Sequence, residues 1–73
     1  MTWEEAQKAF REQVPVVYMN NVVTRDPIVC TRIAEITLRC DVNGKITRIV
    51  AGMDKNENCL YKDYPEFFTR RHA

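Results

Sequence analysis

Residues 30–53, CTRIAEITLRCDVNGKITRIVAGM, decide the fold of this chain. They contain two runs in which apolar and polar residues alternate, and the segment Asp41-Val42-Asn43-Gly44-Lys45 separates them. Asn-Gly between two alternating runs is the strongest short-range signal of a β-hairpin, because this pair accepts the positive φ angles of a tight turn. The stretch therefore predicts a central antiparallel hairpin, around which the rest of the chain is arranged.

Two turn types fit this stretch, and they place the side chains differently. A two-residue turn at Asn43-Gly44 places Arg39 opposite Arg48. A three-residue loop with Gly44 in the left-handed region shifts the register by one and places Arg48 opposite Leu38. We favour the two-residue turn, because it sorts the apolar residues of both runs onto one face.

The length and the charge of the chain limit its size class and its partners. Seventy-three residues form a single small domain, 1–73, whose core buries only about 60% of the surface of the unfolded chain. The 11 basic and 10 acidic residues give a net charge of +1. Strong nonspecific binding to nucleic acids or to membranes requires clustered Lys and Arg, so this balance argues against both.

Hydropathy and cysteine content indicate the compartment. No apolar run approaches the roughly 20 residues that cross a membrane, and the acidic N-terminus does not resemble a signal peptide. The three cysteines, Cys30, Cys40 and Cys59, are an odd number, which suits free thiols better than a disulfide framework. We therefore expect a cytoplasmic protein with no membrane partner.

The N-terminal segment has the pattern of an amphipathic helix. Thr2-Trp3-Glu4-Glu5 matches a capping box, which predicts that a helix begins at Trp3. Pro15 ends it, which gives a helix over about residues 3–13. Such a short helix is not stable alone, so we expect its apolar stripe to pack on the sheet rather than to dock on a partner.

The segment between this helix and the central hairpin predicts short strands. Residues 16–19 and 22–24 are rich in β-branched side chains and flank Asn20 and Asn21. Asn accepts the positive φ angles of tight turns, so this pattern predicts a second hairpin. From Ile28 the chain is expected to be extended up to the central hairpin.

The C-terminal third is expected to complete a β meander over about residues 16–62. A polar turn at 54–58 precedes a short strand at 59–62. The C-terminal turn and tail, 63–73, contains a predicted helical turn whose aromatic rings cover an open end of the sheet. Its last five residues, 69–73, form a basic tail that contains Arg70, Arg71 and His72 and is expected to fray.

These elements define an α+β fold that is mainly β. We expect a short N-terminal helix followed by about five antiparallel strands that form a small SH3-like or open β-barrel. The helix and the pair Phe67-Phe68 would plug its ends. A flatter sheet with the helix across one face is the alternative.

The order of these features resembles a group of known small proteins. A capped helix comes first, a Val-Val-Tyr segment follows, and then Ala-Glu-Ile-Thr-Leu-Arg-Cys-Asp-Val-Asn-Gly-Lys and a second turn, Asp-Lys-Asn. This order is similar to that of small uncharacterised proteins, domains of unknown function, from phages and mobile elements of Gram-positive bacteria, and the likeness covers most of the chain. The resemblance implies a compact barrel-like domain with an accessory role on a mobile element, and it implies no catalytic residues.

No pattern of residues points to catalysis or to a bound cofactor. The spacings of the three cysteines and His72 match no common zinc module. The turn at 54–58 begins like a calcium loop, but Cys59 stands where such a loop needs Gly, and Pro65 stands where it needs Glu. With one histidine near the end of the chain, the sequence indicates a non-enzymatic protein without a metal or cofactor.

Binding surfaces have better support. Four basic residues, Arg32, Arg39, Lys45 and Arg48, lie along the central hairpin, and Tyr61 is expected nearby. Basic and aromatic side chains in this mixture are typical of small barrels that bind nucleic acids, which is the alternative function. We favour a protein-interaction module that self-associates or binds a protein partner through an unpaired strand edge, because small open sheets expose such edges.

Overall fold

The computed structural model describes residues 1–71 and contains one helix and five strands. The helix α1 covers Trp3–Glu12. The strands are β1 (Val16–Tyr18), β2 (Ile28–Cys40), β3 (Ile46–Asp54), β4 (Leu60–Asp63) and β5 (Phe68–Arg70), and a 3₁₀ turn, Pro65–Phe67, precedes β5. All neighbours in the sheet are antiparallel, in the order β4-β3-β2-β1-β5. The mainly β, α+β class predicted from the sequence is confirmed.

The sequence predicts a small SH3-like or open barrel, and the structure has an open sheet that is not closed into a barrel. Within residues 1–71, β4 and β5 form the two edges of the sheet and do not pair with each other. The helix α1 lies against the sheet and contacts β2.

The sequence determines both ends of α1. At its start the Thr2 hydroxyl accepts from the Glu5 amide at 3.1 Å, and the Glu5 carboxylate accepts from the Thr2 amide at 2.8 Å. These two bonds form the predicted capping box. At its end Gln13 adopts the left-handed conformation, with a φ of 53°. Its side-chain amide donates to the Ile33 carbonyl of β2 at 3.2 Å, which ties the end of the helix to the sheet.

The core lies between α1 and the sheet. Ala6 and Ala9 are buried on α1, and their small side chains let the helix approach the strands closely. Phe68 of β5 is the largest fully buried side chain. The other members of the buried cluster are Val16, Cys30, Ile33 and Val50. Trp3 and Phe10 pack against this cluster, so the predicted packing of the helix on the sheet is confirmed.

Gly52 in β3 leaves the space that Phe68 and Cys30 occupy. A Cβ atom at Gly52 would lie 2.7 Å from the Cys30 sulfur and 3.0 Å from Cε1 of Phe68. Both distances are shorter than van der Waals contact, so a side chain here would displace the core. The close packing of β2, β3 and β5 therefore requires glycine at this position.

The hairpin between β2 and β3 has the three-residue loop rather than the predicted two-residue turn. Leu38 pairs with Arg48, which is the register shifted by one. The Asp41 carboxylate accepts from two loop amides, at 2.8 and 2.9 Å, and the Gly44 amide donates to the Asp41 carbonyl at 3.0 Å. Gly44 has a φ of 81°, as the bulged loop requires. The hydrogen bonds from the loop amides to Asp41 stabilise this register more than the other register gains by placing the apolar side chains on one face.

The predicted hairpin around Asn20 and Asn21 is wrong. β1 pairs with the start of β2 instead, and residues 19–27 form the connecting loop. The Asn21 side chain accepts from the Val23 amide at 3.3 Å and donates to the Thr24 hydroxyl at 2.6 Å. These local bonds favour a turn over a strand, because they compete with the backbone bonds that a strand needs.

The C-terminal segment forms an edge strand instead of fraying from residue 69. Phe68 follows the 3₁₀ turn, begins β5 and pairs with Tyr18 of β1. Arg70 at the end of β5 forms an ion pair with Glu12 of α1 at 2.9 Å. His72, which the sequence analysis assigns to the tail, lies outside the described residues.

We predict that Gly52→Ala lowers the free energy of unfolding by about 1–3 kcal/mol, because the added methyl group overpacks the contact between Cys30 and Phe68. Urea unfolding followed by circular dichroism measures the change. Val42→Ala is the control, since Val42 is fully exposed. Its replacement is expected to change the free energy of unfolding by less than about 0.5 kcal/mol.

The same contact can be isolated with a second substitution. In the Gly52→Ala background, Cys30→Ala removes the sulfur that the new methyl group contacts. The double variant is therefore expected to lose less free energy of unfolding than the sum of the losses in the two single variants. Additive effects would contradict the assignment of this contact as the limit on side-chain size.

Candidate functional site

The outer part of the β2–β3 hairpin extends beyond the neighbouring strands. β1 pairs with β2 only at residues 28–30, and β4 pairs with β3 only at residues 50–53. Beyond these contacts, the two strands of the hairpin pair only with each other within the described chain. We call this two-stranded ribbon, residues 36–49, the arm.

The two long edges of the arm differ in what lies beside them. The β3 edge borders the 3₁₀ turn, since Thr47 and Arg48 line one cleft together with Tyr64 and Pro65. The β2 edge, residues 36–40, has no strand beside it among residues 1–71. A free edge offers backbone N–H and C=O groups to another strand. The β2 edge is therefore the candidate site for binding an extended segment.

Every second residue of the β2 edge points its backbone polar groups outward. The Asp41 amide donates to the Lys45 carbonyl at 2.9 Å, which marks this pair as hydrogen-bonded across the hairpin. Bonded and non-bonded pairs alternate along an antiparallel ladder. The N–H and C=O groups of Ile36, Leu38 and Cys40 therefore point away from β3, toward the free edge.

Apolar side chains are exposed along the arm. Leu38 is 53% exposed, Ile46 is 48% exposed, and Val42 at the tip is completely exposed. Leu38 and Ile46 continue the row of Ile36 and Val50 on the α1 side of the sheet, but α1 does not cover them. Contiguous exposed apolar side chains of this kind mark interaction surfaces.

The face opposite α1 forms a shallow groove with a volume of about 370 Å³. Its lining residues are Glu35, Thr37, Arg39, Thr47, Ile49, Ala51 and Lys62. The Thr37 hydroxyl donates to the Glu35 carboxylate at 3.2 Å. Because alternate residues of a strand share a face, Glu35 and Arg39 lie on either side of Thr37 along this groove. The β2 edge therefore carries one acidic and one basic group at equal distances from Thr37.

The five predicted binding residues do not form one surface. Arg39 is exposed on the face opposite α1, whereas the guanidinium of Arg48 lies 6.0 Å from the centre of the Trp3 ring. The register predicted from the sequence places these two arginines side by side, and the observed register separates them. Arg32 forms an ion pair with Glu57 at 3.4 Å.

Tyr61 and Lys45 lie in two further environments. The Tyr61 ring stacks on Tyr18, with 5.6 Å between ring centroids, and packs against the buried cluster. Lys45 is exposed at the end of the hairpin loop and shares a cleft of about 420 Å³ with Arg48. Of the five predicted residues, only Lys45 and Arg48 are therefore brought together.

The alternation of apolar and polar residues in the sequence does not mark the free edge as a site. It places Ile36 and Leu38 on the apolar face of a barrel and assigns them no binding role. The signals that could have found them are the loop chemistry of Asp41, which determines the register, and Pro15, which separates α1 from β1 and so stops β1 from continuing along β2 beyond Cys30.

Asp63 at the end of β4 accepts hydrogen bonds from three groups. The Tyr18 hydroxyl donates to it at 2.7 Å, the Asn20 side chain at 3.0 Å and the Tyr64 backbone amide at 2.8 Å. Burial opposes ionisation of this carboxyl group, but the three hydrogen bonds outweigh burial and lower its pKa. Burial and the bond to Asp63 raise the pKa of Tyr18 to about 12. Since β2 and β3 lie between β1 and β4, this contact also shows that the sheet curves around its core.

The three thiols are free and differ in exposure. Cys30 is buried, whereas Cys40 and Cys59 are exposed. Burial, followed by the nearby charge of Asp54, raises the pKa of Cys30 to about 11. The Cys30 thiol is therefore protonated at physiological pH and acts as a small apolar core residue.

Within residues 1–71, no three or more His, Cys, Asp or Glu side chains are grouped so that they could hold a metal ion. No helix in this range combines the length and the apolar character needed to cross a membrane. Comparison of the chain with protein-family models, with curated proteins and with solved structures found no match.

We predict that Asp63 contributes to stability at neutral pH and that acid removes this contribution. Its pKa is lower in the folded chain, so the unfolded chain binds more protons as the pH falls below the ordinary carboxyl pKa of about 3.9. Stability is thus present above that pH and is lost as the pH falls through the lower folded pKa. Asp63→Asn is expected to reduce the free energy of unfolding at pH 7 by about 0.5–1.5 kcal/mol.

Urea unfolding at neutral and at acidic pH checks this prediction. The difference between wild type and Asp63→Asn is expected to shrink as the pH falls, because the wild-type carboxylate is then protonated. If the free energies of unfolding of wild type and Asp63→Asn differ by the same amount at neutral and at acidic pH, the role of the ionised Asp63 is contradicted.

Proposed function

We propose that this chain is a small non-enzymatic protein-interaction module that binds an extended segment of a protein at the β2 edge of the arm. The observation that carries the proposal is the free edge at residues 36–40, where alternate backbone groups point outward. Addition of a strand to an exposed edge is a common mode of peptide recognition. Backbone hydrogen bonds supply the affinity, and the alternating side chains supply the specificity.

The side chains of the edge suit a strand that is apolar on one face and charged on the other. On the α1 side the added strand would cover Leu38, and full burial of its exposed half would contribute roughly 1 kcal/mol. On the opposite face it would meet Glu35 and Arg39. Like charges across from either residue would be rejected, which gives the edge specificity.

The arm is already in the conformation that such binding requires. Its two strands form a regular ladder from Ile36 to Cys40, and the Asp41 carboxylate holds the loop at its end. An edge held in this way needs little ordering when a partner binds, which favours affinity.

The non-enzymatic part of the proposal is supported by the structural roles of three groups whose pKa values are shifted. Tyr18 and Asp63 bond to each other across the curved sheet. Hydrogen bonds from its own turn, first from the Asn58 amide, lower the pKa of Asp54. Each of these groups stabilises a local structure, and none lies on the β2 edge.

The proposal extends to location and biological setting. The three free thiols support a reducing compartment such as the cytoplasm. The order of the sequence features, which resembles that of small phage and mobile-element proteins, supports an accessory role on such an element.

Nucleic-acid binding is the second candidate function, and one cleft favours it. Lys45 and Arg48 line this cleft together with the aromatic side chains Trp3 and Tyr64. Tyr64 is 48% exposed, and an exposed ring beside basic groups can stack on an unpaired base while the charges bind phosphates. Glu66 lines the same cleft and opposes the approach of phosphates, so this function ranks below strand binding.

We predict that peptides selected from a random phage-displayed library bind the β2 edge. Binding is expected to slow amide exchange at Ile36, Leu38 and Cys40 more than at their neighbours, as measured by NMR. Leu38→Pro removes an outward N–H without removing a bond to β3, so it is expected to weaken peptide binding by about tenfold or more.

Leu38→Thr is the matched control for this substitution. It also removes the leucine side chain but keeps the backbone N–H, so it is expected to retain more affinity than Leu38→Pro. Equal loss in both variants would show that the side chain, and not the strand edge, is recognised. A library that yields no binding peptide would count against the function itself.

The second candidate function predicts that single-stranded RNA binds the cleft and that salt weakens this binding. Fluorescence anisotropy of a labelled oligonucleotide at low and at physiological salt measures both effects. Lys45→Glu is expected to weaken binding at low salt by about threefold or more, because a phosphate contact is lost and a repulsion is added. Lys62→Glu makes the same charge change on the opposite face and is expected to have less effect. Equal effects of the two substitutions, or no binding at low salt, would exclude this cleft.

A further inference from the structure

We propose that the segment bound at the β2 edge is the same edge of a second copy of this chain, so that two arms pair antiparallel around a two-fold axis at Thr37. This inference rests on the proposed function, because it names the partner of the same edge. The pairing would be isologous and would join the two sheets into one continuous sheet.

The sequence of the edge is complementary to itself when its direction is reversed. With Thr37 opposite Thr37 of the second copy, Glu35 lies opposite Arg39, and Ile36 lies opposite Leu38. Opposite charges then meet on one face, and branched apolar side chains meet on the other. Cross-strand pairs of both kinds stabilise antiparallel sheets.

The backbone fits the same register. The outward-pointing groups of the edge belong to alternate residues, and antiparallel pairing around Thr37 places Ile36 of one copy opposite Leu38 of the other. Each of these pairs exchanges both of its hydrogen bonds, and the central Thr37 pair takes the non-bonded position. The two-fold axis generates both bonded pairs, so the exposed groups of both copies are satisfied together.

The pairing also uses the side chains that the fold leaves without partners. Leu38 is 53% exposed on the α1 side, and Ile36 of the second copy would cover it. On the other face the Thr37 hydroxyl already holds the Glu35 carboxylate at 3.2 Å. Arg39 has no ion pair within residues 1–71, so it is available to the Glu35 carboxylate of the second copy.

A shift of the axis toward the loop is less favourable. With the axis at Leu38, the Glu35 carboxylate would lie opposite Asp41 of the second copy. Two acidic groups directly across from each other repel, and this repulsion would occur twice in the symmetric pair.

A shift toward the core is also less favourable. With the axis at Ile36, Arg39 would lie opposite Ile33 of the second copy and would lose its acidic partner. The Ile33 carbonyl, moreover, already accepts from the Gln13 side chain at 3.2 Å, so the end of α1 borders this part of the edge. Charge and access together select the axis at Thr37.

Exchange of the two charges tests this register. Glu35→Arg places arginines opposite each other in both cross-strand pairs, and Arg39→Glu places glutamates opposite each other. Each variant alone is expected to self-associate about tenfold more weakly than wild type, or more weakly still. An equimolar mixture of the two variants restores opposite charges in both pairs, so it is expected to form a heterodimer with near wild-type affinity. The double variant Glu35→Arg/Arg39→Glu is expected to pair with itself.

Sedimentation velocity over about 10 μM to 1 mM protein measures these affinities. Both side chains are exposed, so the variants are expected to fold, and circular dichroism checks that they do. Rescue in the mixture is the decisive result, because a general loss of folding or solubility would not be repaired by a second variant.

A covalent trap gives an independent measurement. In a Cys40→Ser/Cys59→Ser background, Thr37→Cys places two thiols at the axis, and Cα atoms of a non-bonded antiparallel pair lie about 4.5 Å apart, within disulfide range. Oxidised glutathione is expected to yield a disulfide-linked dimer. Thr47→Cys lies on the same face but on β3, away from the axis, and is expected to form much less dimer.

Two results would overturn the inference. The first is a monomer at every concentration together with no dimer from Thr37→Cys. The second is self-association that the single charge variants leave unchanged, which would assign it to another surface. In either case the proposed function would survive if random peptides still bind the β2 edge, and it would fail with the inference if they do not.

Discussion

The contact of Phe68 and Cys30 with the bare backbone of Gly52 is the constraint on which the rest of the structure depends. The Phe68 ring holds β5 on the core, and β5 in turn pairs with β1. β1 occupies only the first three residues of β2, so the rest of β2 continues past it with β3. A bulkier residue in place of Gly52 would therefore disturb the part of the sheet from which the arm extends.

Local signals in the sequence predict most of the elements correctly. The capping box at Thr2 and Glu5, the central hairpin and the turn after Asp54 all form, because each depends on residues close together in the chain. The errors occur where a side chain bonds to nearby backbone. Asp41 decides the loop and shifts the register, and Asn21 turns a segment that its valines would make a strand. The alternation of apolar and polar residues carries no information about these hydrogen bonds.

The candidate site is harder to predict because it depends on the absence of a strand beside residues 36–40 of β2 within the described residues. Whether the edge of β2 is free depends on where β1 begins, because Val16 pairs with Cys30 and a longer β1 would need strand residues before Val16. The helix α1 and Pro15 occupy that part of the chain. The separation of Arg39 from Arg48 follows from a shift of one residue, since such a shift moves a side chain to the other face. The sequence shows which residue types lie along the hairpin, but it does not predict how they are divided between the two faces of the sheet.

The pairing of β5 with β1 has a consequence for the order of folding. Tyr18 and Phe68 are about 50 residues apart in the chain, whereas β2 and β3 are joined by a short loop. Closing the longer loop costs more conformational entropy, so the β2–β3 hairpin is expected to form early and β5 to dock late. During that interval the cavity above Gly52 is uncovered while the edge of β2 already has its final shape. Such an intermediate can associate through the arm before its own core is complete, which links the rate of docking of one phenylalanine to the risk of aggregation.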